Sequence, residues 1–202
     1  MKKDLGLYIH IPFCVKKCAY CDFFSWSGDQ EQREAYVRAM EQEIDSYREF
    51  ARDYRVSTIF FGGGTPSVLE GEQIERILKR IRDIFQMEKD PEITLEMNPG
   101  TAEKEKLSLY RKAGINRLSI GLQSVKNDNL KLLGRIHTYE DFLDSCQMAR
   151  EAGFDNISVD LISSLPGQTL EEWKEELEIL MKTSLEHISI YQLIIEEGTD
   201  FY

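Results

Sequence analysis

The sequence lacks any uninterrupted run of about eighteen apolar residues, the length that a helix needs to cross a membrane. Its start also lacks the apolar core of a secretory signal, because Met1-Lys2-Lys3-Asp4 leads directly into an alternating segment typical of a β-strand. Hydrophobic residues still make up 42% of the 202 residues, which is enough to bury the core of one domain. We therefore expect one cytoplasmic domain over residues 1–202, without a membrane span.

Basic residues are scarce relative to acidic ones. The chain has 25 lysines and arginines against 36 aspartates and glutamates, which gives a net charge of −11. Proteins that bind nucleic acid broadly usually have a basic excess, so this balance argues against nucleic acid as a general partner, although a local basic pocket remains compatible with it. The acidic run over residues 171–176 is typical of a helix face exposed to solvent, and we interpret it as such a face.

Short β-like segments alternate with amphipathic helical segments along the whole sequence. The predicted strands cover residues 5–11, 56–61, 92–98, 117–123, 156–162 and 187–194. Apolar residues recur at helical spacing between them, for example over residues 74–85 and 170–181. Gly114 and Gly153 stand where helices are expected to end, just before the fourth and fifth strands. This alternation predicts an α/β fold with a parallel sheet.

The two faces of the predicted strands differ in polarity. Apolar residues occupy alternate positions, while the positions between them carry small or polar residues such as Glu96, Gly121 and Asp160. A closed eight-stranded barrel would fill its interior with branched apolar side chains. An open doubly wound sheet would need apolar residues on both faces. We therefore predict a partial (β/α)6 TIM-type barrel, curved around a wet or ligand-filled cavity.

Three of the four cysteines, Cys14, Cys18 and Cys21, fall within eight residues of a chain without a secretory signal. This grouping argues against a disulfide framework and favours metal or cluster binding. The cysteines follow the first predicted strand, at the end where α/β barrels place their chemistry. Three thiolates can hold three irons of a [4Fe–4S] cluster and leave the fourth iron open to a small chelating molecule.

The alternative is a structural zinc site, which needs four ligands and is commonly built from paired Cys-x2-Cys units. The sequence offers no second pair, although His10 could supply a fourth ligand. Cys146 lies on an apolar helical stripe and is expected to be a buried core thiol. A zinc site of this kind would make the protein a zinc-stapled interaction module without enzymatic activity.

The segment Tyr8-Ile-His-Ile-Pro-Phe-Cys14-x3-Cys18-x2-Cys21 resembles the cluster motif of radical S-adenosylmethionine (SAM) enzymes. More narrowly, it is similar to the subgroup that contains oxygen-independent coproporphyrinogen III oxidase (HemN) and the haem chaperone HemW. The resemblance implies a radical SAM core domain with the three cysteines as ligands of a [4Fe–4S] cluster and with SAM as the second cofactor. It also implies a reductant such as flavodoxin or ferredoxin, and a SAM-derived radical that abstracts hydrogen from a substrate.

The resemblance also implies which residues contact SAM. The full set is Tyr8, Tyr20, Gly63, Gly64, Thr65, Glu96, Gln123, Arg135, Asp160 and Ile194. From the residues alone, the glycine run 62–64 could be only a strand-to-helix turn, and Glu96 could be a salt-bridged carboxylate. Gln123 could be a satisfied core amide, and Arg135, which could clamp the carboxylate of SAM, could instead lie on the surface. We assign no role to His137, which we expect to be packed or to cap a helix.

Three departures from the family pattern bear on the activity. The decarboxylating oxidase carries a further cysteine two positions after the third cluster cysteine, where this sequence has Phe23. Family members are also close to twice as long, and their C-terminal part helps to form the porphyrin or haem site. Ser163 and Ser164 replace the usual aromatic–glycine pair. We therefore favour a haem chaperone, which transfers haem to an acceptor protein, over an oxidase acting on a porphyrinogen, and expect this chain to retain the cofactor site without the full function.

Overall fold

The computed structural model describes residues 2–101 and 103–202, over which six β-strands alternate with α-helices. The strands are β1 (Lys3–Ile11), β2 (Tyr54–Gly63), β3 (Gln86–Met97), β4 (Arg117–Gln123), β5 (Ile157–Ser163) and β6 (His187–Gln192). The α-helices are α1 (Gln30–Ser46), α2 (Gly71–Ile84), α3 (Lys104–Ala113), α4 (Asn127–Leu132), α5 (Tyr139–Glu151) and α6 (Leu170–Leu180). Short 3-10 turns lie at Phe50–Asp53 and Pro66–Val68.

The strands pair in parallel and in chain order, from β1 at one edge to β6 at the other. Because all pairs are parallel, the carboxyl ends of the strands lie at one end of the sheet. The sheet curls into a half-barrel. This confirms the predicted α/β fold and the partial (β/α)6 barrel.

The apolar face of the sheet packs against the helices. In α2, the side chains of Ile74, Ile77 and Ile81 are fully buried, as is Phe61 on β2. Burial of one such side chain stabilises the fold by roughly 1.5–3 kcal/mol relative to leaving it exposed.

Gly114 ends α3 in a left-handed conformation with a φ of 112°, as its position predicted. Over the described residues, the structure contains no helix that is both long and apolar enough to traverse a bilayer.

Helix α6 departs from two expectations. In the stripe predicted over residues 170–181, Leu180 is buried, but Leu170 and Met181 are exposed because they are the first residue and the C-cap of the helix. The interpretation of residues 171–176 as a solvated face is also wrong for Glu176, which is fully buried. Its carboxylate accepts hydrogen bonds from four groups in the segments that follow β4 and β5.

Strand β3 begins six residues earlier than predicted, at Gln86 rather than at residue 92. The extra segment is polar and contains Pro91, so it lacks the alternation that marks a half-buried strand. It is held instead by pairing with β2, where Arg55 faces Gln86, and the register shifts before the main part of the strand.

The inner face of the half-barrel is polar, as the alternation predicted. Ser119 Oγ on β4 donates to both carboxylate oxygens of Asp160 on β5, over 3.1 Å each. Ser158 Oγ on β5 lies 2.8 Å from His187 Nδ1 on β6. On this inner face, hydrogen-bonding side chains therefore add to the backbone pairing of neighbouring strands.

Candidate cofactor site

The cysteine loop, residues 14–21, follows β1 and is held by backbone hydrogen bonds to two other segments. Cys14 N donates to Trp26 O over 2.9 Å, and Ala19 N donates to Leu133 O over 3.1 Å. Cys14 is buried, while the other two cysteines are partly exposed. The loop is thus anchored both beside β1 and on the segment after α4.

The Cys21 thiol lies close enough to the other two cysteines for them to influence its ionisation. Burial raises the pKa of the Cys21 thiol, and the neighbouring Cys18 and Cys14 raise it further, against lowering by the Phe23 N–H group and Lys17. A metal would reverse this effect, because a coordinating thiol is deprotonated outright. Over residues 2–101 and 103–202, no three His, Cys, Asp or Glu side chains gather closely enough to enclose a single metal ion.

The glycine turn, residues 62–65, packs directly on the cysteine loop. Gly64 N donates to Ile11 O over 2.8 Å, and Thr65 N donates to Phe13 O over 2.7 Å. Thr65 Oγ1 lies 3.5 Å from Cys14 Sγ and donates to it. A Cβ atom on Gly64 would lie 2.7 Å from Phe13 O and 3.0 Å from Cys14 Sγ. Only glycine allows this close approach of the two segments.

Arg135 directs its guanidinium group toward the cysteine loop. Nη1 donates to Cys18 Sγ over 3.3 Å, and Nη2 donates to Asn98 Oδ1 over 3.0 Å and to Gly121 O. Burial lowers the pKa of the guanidinium, but the interactions with Tyr20 and Cys18 raise this pKa by more. The net shift is upward, so the group stays charged. Its buried Nε has no hydrogen-bond partner among the described residues. Arg135 is therefore not an ordinary surface arginine.

Asn98 connects the glycine turn to Arg135. Its Nδ2 donates to Thr65 Oγ1 over 3.0 Å, while its Oδ1 accepts from Arg135. Thr101 Oγ1 donates to the Asn98 carbonyl over 2.6 Å and fixes the turn after β3. Sequence reasoning assigned no role to Asn98. Its position two residues after Glu96, at the carboxyl end of a strand, was a signal that could have identified it.

Gln123 ends β4 in an unusual backbone conformation. Its φ of 75° lies in the left-handed region, which few residues other than glycine adopt. The pairing of β4 with β5 shifts register between Gly121 and Gln123. A Cβ on Gly121 would lie 2.7 Å from Arg135 Nη2 and 3.0 Å from Gln123 Nε2. The Gln123 amide and the Arg135 guanidinium therefore lie side by side, above a glycine that leaves room for both.

Two carboxyl groups face the interior below this end of the barrel. Glu96 Oε2 accepts a hydrogen bond from Gly63 N over 3.3 Å. Burial raises the pKa of Glu96 to about 7, Asp160 raises it as well, and the Gly63 N–H group opposes the rise. Burial also raises the pKa of Asp160, against lowering by the hydroxyl of Ser119. Among the described residues, no lysine, arginine or histidine forms a salt bridge with Glu96, so the salt-bridge alternative has no support.

We expect the free energy of unfolding to depend on Glu96 between about pH 4.5 and pH 7. The raised pKa means that the folded chain holds a proton in this window that the unfolded chain has released. The contribution of Glu96 to stability is therefore fully present below about pH 4.5 and is lost as the pH rises through 7. Glu96→Gln stays neutral and should flatten this dependence, raising stability near pH 8 by on the order of 1–3 kcal/mol. Urea unfolding near pH 5 and pH 8 measures it. The exposed Glu178→Gln serves as the control, and an unchanged pH slope in Glu96→Gln would contradict the assignment.

The remaining predicted residues lie in different surroundings. Tyr20 packs on a small apolar cluster that includes Leu133, and burial raises the pKa of its hydroxyl. Tyr8 is largely exposed, with its hydroxyl 3.3 Å from His10 Nδ1. Ile194 follows β6 and is 66% exposed. His137 is packed, as expected: its Nε2 lies 3.2 Å from a backbone carbonyl, and burial lowers its pKa to about 4.

Comparison with known proteins extends these observations. Residues 8–180 match the Radical SAM superfamily. The chain is 40% identical over 196 residues to the heme chaperone HemW of Bacillus subtilis, and 41% identical over 198 residues to the heme chaperone HemW of Escherichia coli. These alignments cover 96% and 98% of this chain but 52% of each relative. The chain thus spans about half the length of the curated relatives it matches.

Solved structures give the same picture of the fold. Coproporphyrinogen III oxidase (HemN) from Escherichia coli, a radical SAM enzyme, superposes with a TM-score of 0.86 at 35% identity, over 96% of this chain and 45% of that chain. The archaeal Elp3 of Methanocaldococcus infernus has a TM-score of 0.67 at 17% identity, over 100% of this chain and 48% of that chain, and shares the fold alone. Since the family match extends over most of its length, the chain belongs to the radical SAM superfamily.

Proposed function

We propose that this chain is the radical SAM core of a haem chaperone, which holds a [4Fe–4S] cluster through Cys14, Cys18 and Cys21 and binds SAM beside it. Membership of the superfamily implies both cofactors. The observation that carries the proposal is the hydrogen-bonded connection of the cysteine loop, the glycine turn and Arg135 through Asn98. This connection brings segments that are distant in sequence to the carboxyl end of the half-barrel.

Three features of the chain fit these cofactors. Thiolates are the ligands that hold iron–sulfur clusters, and hydrogen bonds to sulfur tune such clusters; Thr65 and Arg135 supply donors to two of the three sulfurs. The buried Nε of Arg135 has no partner among the described residues and is available to a carboxylate. The missing side chain at Gly64 lets the glycine turn lie directly against Phe13 O and the Cys14 sulfur, one of the three proposed ligands.

The residues of the chain would bind and orient SAM from several sides. Arg135 would hold its carboxylate, while Gly63, Gly64 and Thr65 would receive its amino group. Glu96 would contact the ribose and methionine parts, Asp160 the ribose, and Tyr20 and Ile194 the adenine end. Tyr8 and Gln123 complete the proposed set of contacts. A cluster held by Cys14, Cys18 and Cys21 would supply, when reduced, the electron needed to cleave a sulfur–carbon bond of SAM. The half-barrel would keep water away from this reaction.

The presence of Phe23 favours haem delivery over porphyrinogen oxidation as the function of the whole protein. Phe23 occupies the position where the oxidase carries its further cysteine, so this chain has no thiol at that position. The Phe23 side chain is 68% exposed. Relatives at about 40% identity are named heme chaperones. Haem, a haem-acceptor protein and a reductant such as flavodoxin or ferredoxin are therefore the proposed partners of the whole protein, with the cytoplasm as its predicted location. We propose that residues 1–202 form the core domain and retain the cofactor site without full haem transfer.

Oxidation of coproporphyrinogen III is the second candidate function, because the structure of HemN superposes on this chain with a TM-score of 0.86. The two functions differ in their product. Anaerobically reconstituted protein that carries the oxidase activity would convert coproporphyrinogen III to a decarboxylated product. A haem chaperone would instead bind haem and leave coproporphyrinogen III unchanged.

We expect the reconstituted, reduced chain to respond to SAM. Because three cysteines leave one iron of a [4Fe–4S] cluster without a protein ligand, SAM can reach that iron and change its electronic environment. Electron paramagnetic resonance of the reduced protein with and without SAM measures the change. 5′-Methylthioadenosine, which lacks the amino and carboxylate groups that would chelate the open iron, is the ligand control and should leave the spectrum unchanged. Protein purified without oxygen that contains zinc but neither iron nor sulfide would contradict the proposal and favour the zinc-stapled module.

A further inference from the structure

Glu176 on α6 is a fully buried carboxylate outside the site described above. Its Oε2 accepts hydrogen bonds from Ser124 Oγ over 2.6 Å and from Val125 N over 3.0 Å. Its Oε1 accepts from Asn129 Nδ2 over 3.3 Å and from Gln168 Nε2 over 3.1 Å. All four partners are neutral donors. A buried carboxylate is tolerated only when its oxygens are satisfied in this way, so the four donors and the carboxylate depend on one another.

The four donors belong to segments that lead to the proposed SAM-binding residues. Two of them come immediately after Gln123, the residue with a φ of 75°. Asn129 lies in α4, and the chain leaving α4 reaches Arg135, whose N–H group donates back to Leu130 O over 2.9 Å. Gln168 belongs to the turn after β5. Glu176 therefore joins the segments after β4 and β5 at the carboxyl end of the half-barrel.

Ser124 is the centre of this network. Besides donating to Glu176, its Oγ accepts from Lys126 N over 3.1 Å and from Asn129 Nδ2 over 3.1 Å. A left-handed conformation at a residue with a side chain persists only where the surroundings hold it in place. The anchoring of the two residues that follow Gln123 supplies that restraint.

We infer that Glu176 is a positioning residue for the SAM site, which fixes the left-handed turn at Gln123 and the helix that leads to Arg135. The inference rests on the proposed function, because it concerns the residues proposed to contact SAM. The four hydrogen-bond partners of Glu176 are not among the residues proposed to bind SAM or the cluster, so Glu176 acts through the chain segments that it holds.

A glutamine at position 176 cannot reproduce this arrangement. If its NH2 group faced Val125 N, two donors would meet. If the NH2 group instead took the position of Glu176 Oε1, it would meet the amide nitrogens of Asn129 and Gln168. Gln168 cannot reverse its amide freely, because its Oε1 accepts a hydrogen bond from Leu165 N over 3.2 Å. Glu176→Gln therefore preserves size and burial while it removes a necessary acceptor.

The test combines hydrogen exchange of the apo chain with SAM binding to the reconstituted chain. In Glu176→Gln, we expect the amides of residues 123–126 to exchange faster in the apo chain. In equilibrium dialysis, the reconstituted variant should bind SAM about tenfold more weakly, which is the lower end of the effect that residues orienting a site typically have. Its iron and sulfide content should be unchanged. Glu178→Gln, exposed on the same helix, is the matched control and should leave both measurements at wild-type values.

A second control separates positioning from general destabilisation. Ile77→Val shortens a fully buried side chain of α2 and lowers overall stability without touching the network. It should leave both SAM affinity and exchange at residues 123–126 unchanged. If Glu176→Gln binds SAM with wild-type affinity, or if its residues 123–126 exchange at wild-type rates, the inference is overturned while the proposed function stands. A wild-type chain that does not bind SAM overturns the proposed function, and the inference with it.

Discussion

The Cys18→Ala variant is expected to lose iron and sulfide uptake on anaerobic reconstitution. The loss should exceed the roughly 10–100-fold that removal of an outer partner costs a metal site, because a proposed ligand itself is removed. Cys18 Sγ also accepts the hydrogen bond from Arg135 Nη1 over 3.3 Å, so the variant removes a contact that orients the guanidinium as well. Iron and sulfide per chain, together with the visible absorbance of the cluster, measure the effect.

Cys146 provides the matched control for this experiment. It is a free cysteine on α5, partly buried against the core, and burial raises the pKa of its thiol to about 12. Cys146→Ala should therefore load iron and sulfide as the wild-type chain does. Because Cys18 lies in a loop and is partly exposed, apo Cys18→Ala should unfold close to the wild-type temperature. Normal cluster loading by Cys18→Ala would refute the assignment of the cysteine loop.

The Gly64→Ala variant is expected to weaken both cluster loading and SAM binding strongly. The added Cβ would lie 2.7 Å from Phe13 O and 3.0 Å from Cys14 Sγ. Phe13 O cannot retreat without breaking its hydrogen bond from Thr65 N, which measures 2.7 Å. The glycine turn and the cysteine loop must therefore separate, at a cost of about 1–3 kcal/mol in stability. Thermal unfolding of the apo chain, cluster content and SAM affinity together report the change.

Gly6→Ala is the matched control, because Gly6 lies on β1 near the opposite end of the sheet. Its added Cβ would meet the Thr58 side-chain oxygen at 3.0 Å, a contact that a small side-chain movement relieves. Its cluster content and SAM affinity should stay at the wild-type level. If Gly64→Ala loads the cluster and binds SAM like Gly6→Ala, close packing of the two segments is not needed for the site.

The architecture could be predicted because it follows from local periodicity. Alternating polarity in strands and three-to-four spacing in helices are set by residues close in sequence, and the partial barrel followed from the polar strand face. The start of β3 escaped prediction for the same reason. Residues 86–91 carry no alternation, and their pairing with β2 depends on a neighbour some thirty positions away, where Arg55 faces Gln86.

The site was predicted unevenly, for a physical reason. The cysteine loop and the glycine turn have local signatures, since each must form a particular turn beside a strand end. Asn98 and Glu176 have none: each is a common polar residue whose partners come from other segments. Glu176 in particular sits in an acidic run that resembles a solvated helix face, and only the packing of α6 on the segments after β4 and β5 distinguishes it. The cofactor contacts of all the residues named for the site, Ile194 included, stay predictions.

Cys18 and Arg135 touch although they are 117 positions apart in the chain. Ala19 is likewise held by Leu133, from the same distant segment. During synthesis, the nascent polypeptide therefore lacks these two contacts of the cysteine loop while its first three strands assemble, and it gains them only after α4 has emerged. A cluster held by Cys14, Cys18 and Cys21 would accordingly be loaded more readily into the finished fold than into the growing chain.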